Sequence, residues 1–228
     1  MLAWLEGDDP FPPVERALKD PNGLLAAGAD LSLPRLLEAY RSGIFPWFSG
    51  TEPILWWCPD PRMVLHCEEL KVSRSLGKSI RNKGYEVRVD TAFSEVLKHC
   101  AEPRKGEPGT WLGPEMRRAY LHLHRAGYAH SFEAWRGDDL VGGLYGVAIG
   151  PMFYGESMFS RATDASKVAL VNLARNLQER GFPMIDCQMR TPLLASLGAR
   201  EIPRRVFLRR LAALVNYPVS PGKWDVAT

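Results

Sequence analysis

The chain has 228 residues, of which 46% are hydrophobic and 24% are charged. This composition is typical of a soluble globular protein with a buried core, and no repeat or low-complexity segment interrupts it. The formal net charge of +3 is too small to indicate a nucleic-acid partner by itself, so the local distribution of charge has to decide that question.

The cysteines and histidines give no sign of a metal site. The four cysteines form no CxxC pair and lie far apart, which indicates free thiols in a reducing compartment rather than a disulfide framework or a zinc site. His122 and His124 lie two apart on a predicted helix and point to different faces. We therefore predict no bound metal. The cysteines are Cys58, Cys67, Cys100 and Cys187.

The N-terminal segment, MLAWLEGDDPFPP, has acids and prolines where a signal peptide needs a basic region and an apolar core. No run reaches the roughly 18 apolar residues that a membrane helix needs. The sequence therefore predicts a cytoplasmic protein with no membrane partner.

Residues 1–62 are rich in proline and tryptophan and poor in clear strand signals. One helix is predicted there, in ADLSLPRLLEAYRSG. Ser32 can cap it, Pro34 suits its first turn, and Gly43 can end it in a left-handed conformation. We interpret residues 1–62 as a small N-terminal lobe that ends near the turn CPDPR.

From residue 63 onward helices and strands alternate. A meander of three strands, a long amphipathic helix that ends at Gly181 and a further strand predict an α/β fold of the mixed α+β kind, with residues 63–228 as one domain. The predicted helices are VSRSLGKSIRNKG, TAFSEVLKHCA, PEMRRAYLHLHRAG, ASKVALVNLARNLQERG and PRRVFLRRLAALV. The predicted strands are YEVRVD, three strands within residues 129–160 that turn at RGDD and IGP, and MIDCQM.

Two predicted strands carry acids among apolar residues. Strand periodicity places Glu156, Met158 and Ser160 on one face, and Asp186 and Gln188 on one face. Buried carboxylates are costly unless they are paired, protonated or turned toward a ligand. The residues leave two readings open, which are a functional site and a pair of structural, salt-bridged acids.

Basic residues cluster in the predicted helix after residue 70. A solvated helix face is the ordinary explanation of such a run, but no acid interrupts it, and it would suit phosphates. Tryptophans in PWF, LWWC and GTWLG could stack on unpaired bases, although tryptophan is more common in a core. The candidate phosphate contacts are Arg74, Lys78, Arg81 and Lys83.

The junction SRATDASKVAL lacks glycine. A coenzyme-A-dependent acetyltransferase would need a glycine-rich loop of N–H donors for the pyrophosphate at such a strand-to-helix junction. The sequence therefore argues against coenzyme A.

A series of motifs resembles the leucyl/phenylalanyl-tRNA–protein transferases, bacterial enzymes of the N-degron pathway, over roughly residues 20 to 210. The resemblance implies a GNAT-like (acyl-CoA N-acyltransferase) C-terminal domain that uses neither coenzyme A nor another cofactor. It implies transfer of Leu, Phe or Met from aminoacyl-tRNA to the N-terminal Arg or Lys of a protein. The motifs are PNGLLAAGADLS, RLLEAYRSGIFPWF, ILWWCPDPRMVL, EPGTWLG, AYLHLHRAGYAHSFEAW, LVGGLYGVAIG, GESMFS, ASKVAL, IDCQ and SLGAREIPR.

The resemblance also suggests roles for the candidate residues. Glu156 would meet the cation of the peptide N-terminus, Gln188 would orient the attacking amine, and Asp186 would polarise that amide or take the proton. The tRNA 2′- or 3′-oxygen is an equally open proton route. An apolar pocket for the donor side chain would be formed by Leu144, Met158, Ser160 and Ile185, and stacking on the 3′-adenosine would be the role of Trp47 and Trp111.

Three positions depart from the family pattern. The chain has Ala29 before Asp30 where GGD is usual, and Cys58 where WWSPDPR is usual, and both changes are expected to be conservative. Leu193 stands where a histidine is common, so no histidine base is assigned there. Two other functions remain as alternatives, which are a coenzyme-A-dependent N-acetyltransferase and a non-catalytic RNA-binding module.

Overall fold

The structure is a computed structural model that describes residues 2–50, 52–103, 110–217 and 221–224. It contains two sheets with helices around them, so the predicted mixed α/β class is confirmed. The smaller sheet lies within residues 3–57 and the larger one within residues 62–202.

The smaller sheet is built from strands of two to five residues in the order β1-β2-β4-β3. These strands are too short to show a periodic pattern, so they were not predicted from the sequence. Every residue of β2 is buried, because the sheet packs into the main core. The strands are β1 (Ala3–Leu5), β2 (Leu24–Gly28), β3 (Phe45–Pro46) and β4 (Leu55–Trp57).

The larger sheet has the order β11-β5-β10-β9-β8-β7-β6. Strands β7, β8 and β9 form the predicted antiparallel meander, and β10 lies parallel to β9. Strand β5, which was not predicted, lies between β10 and β11. The strands are β5 (Arg62–His66), β6 (Glu86–Val89), β7 (Ala129–Arg136), β8 (Asp139–Ile149), β9 (Met152–Ser160), β10 (Met184–Gln188) and β11 (Arg200–Ile202).

The predicted helices are all present, together with a short helix, α6. The first begins where Ser32 Oγ accepts from the Arg35 N–H, and Gly43 follows it at φ +73°, as the capping residues predicted. The helices are α1 (Leu33–Arg41), α2 (Arg74–Asn82), α3 (Phe93–Cys100), α4 (Pro114–Arg125), α5 (Ala165–Glu179), α6 (Pro192–Ser196) and α7 (Arg204–Val215).

Two hydrophobic cores lie on the two faces of the larger sheet. We call them the lobe-side core, which contains Leu36, Trp56 and Phe207, and the α5-side core, which contains Leu173 and Phe182. The lobe-side core joins the N-terminal residues to the sheet without a break. The domain boundary at residue 62 stays a prediction.

Candidate active site

The site is at an opening between two parallel strands. Pairing of β9 with β10 runs from Met152–Met184 to Tyr154–Asp186, and β9 then continues to Ser160 with no further partner in β10. Helix α5 connects the two strands, as a parallel pair requires. We call this opening the strand gap.

Glu156 lies at the edge of the strand gap, in a β-bulge. Gly155 pairs with Gly146 and Ser157 pairs with Tyr145, so Glu156 is the extra residue without a partner in β8. A bulge shifts the alternation of side chains by one position. Glu156 therefore faces the lobe-side core.

The prediction that Glu156, Met158 and Ser160 share one face is wrong, because it assumed an uninterrupted period of two. Met158 packs against the α5-side core. Ser160 Oγ accepts from the Ser166 N–H at the start of α5, on the same side as Met158. The two faces of β9 thus carry different chemistry at the strand gap.

The side chains of Tyr40, Tyr120 and Glu156 form a triangle that is joined through four oxygen atoms. The Tyr40 hydroxyl lies 2.8 Å from Glu156 Oε1, and the Tyr120 hydroxyl lies 2.7 Å from Oε2. The two hydroxyls lie 3.0 Å from each other. Gln188 Nε2 donates to Oε1 across 3.3 Å. Both tyrosines are 0% exposed, so water does not screen the triangle from their side.

Burial raises the pKa of the Glu156 carboxyl to about 7, and the Asp186 charge adds to this, while hydrogen bonds from Tyr120 and Tyr40 oppose it. Burial and the charge of Glu156 raise the pKa of both tyrosines well above 10. No ion pair within the described residues includes Glu156. A carboxyl in this state is a candidate for ligand binding or proton transfer.

Asp186 is held by a buried arginine. Arg62 Nε donates to Oδ1 across 2.8 Å, and Arg62 Nη2 donates to Oδ2 across 2.6 Å. The guanidinium carbon lies over the rings of Phe45 and Phe207, at 4.8 and 4.6 Å from their centroids. Burial alone would lower the pKa of Arg62, but the charge and hydrogen bonds of Asp186 raise it above its ordinary value. The geometry of Asp186 therefore agrees with the interpretation of this residue as a structural, salt-bridged acid.

Gln188 has an unusual backbone conformation at the end of β10. Its φ is +60°, in the left-handed region that a non-glycine residue adopts at a cost. Its N–H donates to Asp186 Oδ1 across 2.9 Å, and the same oxygen accepts from Arg62. Arg62 and Asp186 thus fix the backbone that directs the Gln188 amide toward Glu156. The register of β10 against β5 shifts between Asp186 and Gln188, which interrupts the periodicity that predicted a shared face for them, so that shared face stays a prediction.

The predicted apolar residues lie together on the other side of the sheet. Leu144 pairs with Met158 across β8 and β9, and both belong to the α5-side core with Ile185. Leu144 and Ile185 are buried and Met158 is partly buried. Ser160 is exposed, and its hydroxyl donates to the Ala162 carbonyl.

The predicted RNA contacts are exposed to different degrees. Trp47 is 39% exposed and packs edge-on against Trp57, whereas Trp111 is partly buried against the lobe-side core. The side chains of α2 follow the spacing i, i+4, i+7, which gives one exposed basic face of Arg74, Lys78 and Arg81.

That basic face makes no ion pair within the part of the chain that the structure describes. Lys83 lies at the end of α2 and is partly buried, with Nζ 3.5 Å from the Thr163 carbonyl. It is therefore less available to a phosphate than the other three cations.

The departures from the family pattern have separate consequences. Ala29 has φ +60°, where glycine would be unstrained, so this change is not conservative for the backbone. Cys58 is fully buried, and burial raises the pKa of its thiol. Leu193 packs against the α5-side core at the start of α6.

Three residues of the site were not predicted, namely Arg62, Tyr40 and Tyr120. A charged residue directly before MVL in β5 was the available signal for Arg62. Tyr40 follows Leu33, Leu36 and Leu37 at helical spacing, which indicates burial but not its contact with Glu156.

Outside the strand gap, the described surface has fewer features of a functional site. A groove of about 600 Å³ lies between Asp30, Ile54 and helix α4. No cluster of three or more potential metal-ligating side chains occurs in the described ranges. None of the described helices has both the length and the apolar character of a bilayer-spanning segment.

The sequence comparisons identify the family. The family described as leucyl/phenylalanyl-tRNA protein transferase matches residues 64–212, and its N-terminal domain matches residues 29–60. The relative of that name from Chromobacterium violaceum is 62% identical over 99% of this chain and 97% of its own. The one from Thiobacillus denitrificans is 66% identical over 94% of each chain.

Solved structures with a similar arrangement include the L-PGS structure from Bacillus licheniformis, at 12% identity, over 64% of this chain and 48% of that one, with a TM-score of 0.42. They also include a GCN5-related N-acetyltransferase from Kribbella flavida, at 12% identity, over 71% of this chain and 57% of that one, with a TM-score of 0.36.

The sequence relatives define an aminoacyltransferase. The chain belongs to the leucyl/phenylalanyl-tRNA–protein transferase family, over both its N-terminal and C-terminal parts.

Proposed function

We propose that this protein transfers Leu, Phe or Met from aminoacyl-tRNA to the N-terminal Arg or Lys of a protein and thereby marks it for degradation by the N-degron pathway. The observation that carries the proposal, beside the family, is Glu156. It is a carboxylate at the strand gap whose hydrogen bonds come from neutral groups and which has no ion-pair partner among the described residues.

The acceptor side of the site is the lobe-facing edge of the gap. An N-terminal Arg or Lys brings an α-ammonium and a cationic side chain, and a charge-assisted hydrogen bond to Glu156 is worth roughly 1.5–3 kcal/mol. Gln188 Nε2 already touches Glu156 Oε1, so its carbonyl oxygen is free to accept from the amine.

The chemistry is aminolysis of an ester. The neutral α-amine attacks the carbonyl that joins the amino acid to the terminal ribose, a C–N bond forms and the ribose oxygen leaves. An aminoacyl ester is already activated, so orientation supplies much of the acceleration. The bidentate contact with Arg62 makes Asp186 better suited to hold Gln188 in place than to accept a proton.

The donor side chain belongs on the opposite side of the gap. Leu144, Met158 and Ile185 lie there, and methionine adapts to Leu, Met and Phe shapes. Ser160 lies at the far end of β9, and its contacts with α5 make it a support of this wall rather than a lining residue.

The tRNA would be held outside the gap. Trp47 has the exposed ring that stacking on the 3′-adenosine needs, and Trp111 is the second candidate. The face formed by Arg74, Lys78 and Arg81 would contact phosphates of the acceptor stem without reading sequence, with Lys83 contributing less.

Coenzyme A does not suit the N-terminus of α5. Asp164 occupies that position, where its carboxylate accepts from Ser79 Oγ and pairs with Lys167 Nζ. A second anion, such as a pyrophosphate, would meet this charge at short range. We propose that no cofactor takes part in the reaction.

One assay separates this function from its alternatives. The protein is mixed with Leu-tRNA and an Arg-initiated peptide, and mass spectrometry looks for the Leu-Arg product. The same peptide with an acetylated N-terminus is the matched control and should stay unmodified. Transfer from acetyl-CoA would favour an acetyltransferase, and tRNA binding without any product would favour an RNA-binding module.

A further inference from the structure

The triangle of Tyr40, Tyr120 and Glu156 has more hydrogen-bond contacts than two hydroxyl protons can fill. Its three oxygen–oxygen distances, 2.7, 2.8 and 3.0 Å, are all of hydrogen-bond length. Each hydroxyl supplies one proton. If both tyrosines donate to an ionised Glu156, their own 3.0 Å contact has no proton and sets lone pairs against each other.

A third proton completes the ring when it resides on Glu156. The acid then donates from Oε2 to Tyr120, Tyr120 donates to Tyr40, and Tyr40 donates to Oε1. In this closed cycle Oε2 donates, Oε1 accepts, and each tyrosine hydroxyl does both. No charge is then left at a buried position.

We propose that Glu156 holds this proton in the free enzyme and later accepts a proton from the incoming α-ammonium. Tyr40 and Tyr120 are positioning residues that stabilise the neutral acid. The proposal rests on the proposed function, since the amine must come from a peptide N-terminus. Stabilising the neutral acid raises the pKa of the accepting carboxyl toward that of an α-amine, which is about 7.7–8.0. Proton transfer between the two groups is then efficient.

The groups that face Glu156 support this assignment. Tyr40 comes from α1, Tyr120 from α4, Tyr145 from β8, and Asp186 and Gln188 from β10. Asp186 disfavours a second negative charge beside it, and its own partner, Arg62, donates to it through Nε and Nη2. Burial brings the pKa of Glu156 to about 7 in this setting.

The arriving cation displaces the resident proton of Glu156 to solvent and forms a carboxylate–ammonium pair. That pair passes one proton from nitrogen to Glu156, and the freed lone pair attacks the ester carbonyl. The C–N bond forms, the C–O bond to ribose breaks, and the second proton of the nitrogen neutralises the departing ribose oxygen.

Calorimetry of peptide binding without tRNA tests the resident proton. An Arg-Ala-Ala peptide, which is fully charged at pH 6, is titrated into the protein at that pH. The titration is repeated in two buffers of different ionisation enthalpy. Wild type should release roughly 0.9 proton per peptide, given a pKa of about 7. Glu156→Gln should release none. Glu86→Gln, the same substitution at an exposed glutamate that pairs with Arg88, is the matched control and should release as much proton as wild type.

A second measurement needs no substrate. In protein labelled with ¹³C at glutamate carboxyls, the resonance that Glu156→Gln removes should titrate near pH 7 in the free enzyme. A midpoint near 4.5, or peptide binding without proton release, would overturn the proposal and leave the proposed function intact. Absence of peptide binding would overturn the substrate and this proposal together.

Kinetics separate proton transfer from simple attraction. Glu156→Gln should lower kcat at saturating peptide by about 10²-fold or more, as the loss of an acid–base group does. A rise in peptide KM with unchanged kcat would show that Glu156 only binds the cation and would refute its role as proton acceptor.

Discussion

The buried ion pair of Arg62 and Asp186 gives the sharpest test of how the site is held. Both residues are 0% exposed, and both carboxylate oxygens accept from the guanidinium. Replacing Asp186 with Asn leaves the Arg62 charge buried without a counter-ion. Removal of one partner of such a pair costs about 3–5 kcal/mol. We expect Asp186→Asn to lower the free energy of unfolding by at least about 3 kcal/mol.

The double variant Arg62→Met/Asp186→Leu should recover much of this loss, because buried ion pairs replaced by apolar residues are often neutral in stability. The double variant should still transfer the amino acid more slowly than wild type, because the Gln188 N–H loses its acceptor. Urea unfolding followed by circular dichroism gives the stabilities. Glu86→Gln, which breaks the surface pair with Arg88, is the matched control and should leave the free energy of unfolding close to that of wild type.

An Asp186→Asn protein as stable as wild type but inactive would refute this reasoning. It would mean that Asp186 is not held as a charge by Arg62, and it would favour Asp186 itself as the proton acceptor. A loss of stability together with a loss of activity would leave Asp186 as a positioning residue.

The remaining predictions concern the backbone, the RNA surface, the donor pocket and pH. Ala29→Gly should raise the free energy of unfolding by about 1 kcal/mol in urea titrations, because it relieves a left-handed alanine; an unchanged value would contradict this strain. Replacing Arg74, Lys78 or Arg81 with Gln should weaken all donor tRNAs alike and flatten the salt slope of binding by roughly 0.7–0.9 each, with a smaller effect at Lys83. Met158→Ala should reduce kcat/KM for Leu more than for Trp when one tRNA body is charged with each in turn; an equal loss for both would argue against the pocket. Since the pKa of Glu156 is raised from 4.5 to about 7, wild type should lose about 3 kcal/mol of stability relative to Glu156→Gln as pH rises between those values, and parallel urea curves would contradict this.

The larger elements could be predicted because each depends on local signals. Residues that are close in sequence determine the cap at Ser32, the glycines after α1 and α5, and the alternating strands of the meander. The short strands β1 to β4 could not be found in this way. They are held by pairing with partners distant in sequence, such as Leu24 with Trp57.

The acids of the site could also be predicted, but not their surroundings. Glu156 and Asp186 were conspicuous because carboxylates are rare in apolar strands. Their partners come from far along the chain, since Arg62 lies 124 residues before Asp186 and Tyr40 lies 116 residues before Glu156. Sequence periodicity cannot report such contacts.

Under the proposed function, the bulge at Glu156 would let one strand contact both substrates. Without the extra residue, strict alternation would put Glu156 and Met158 on the same face, and an apolar donor side chain would have to be buried beside a carboxylate. With it, the acid turns to the tyrosines while Met158 turns to the α5-side core. The two faces meet where β9 leaves β10, so an ester carbonyl within the strand gap can have its apolar side chain on one side and a cationic amine on the other.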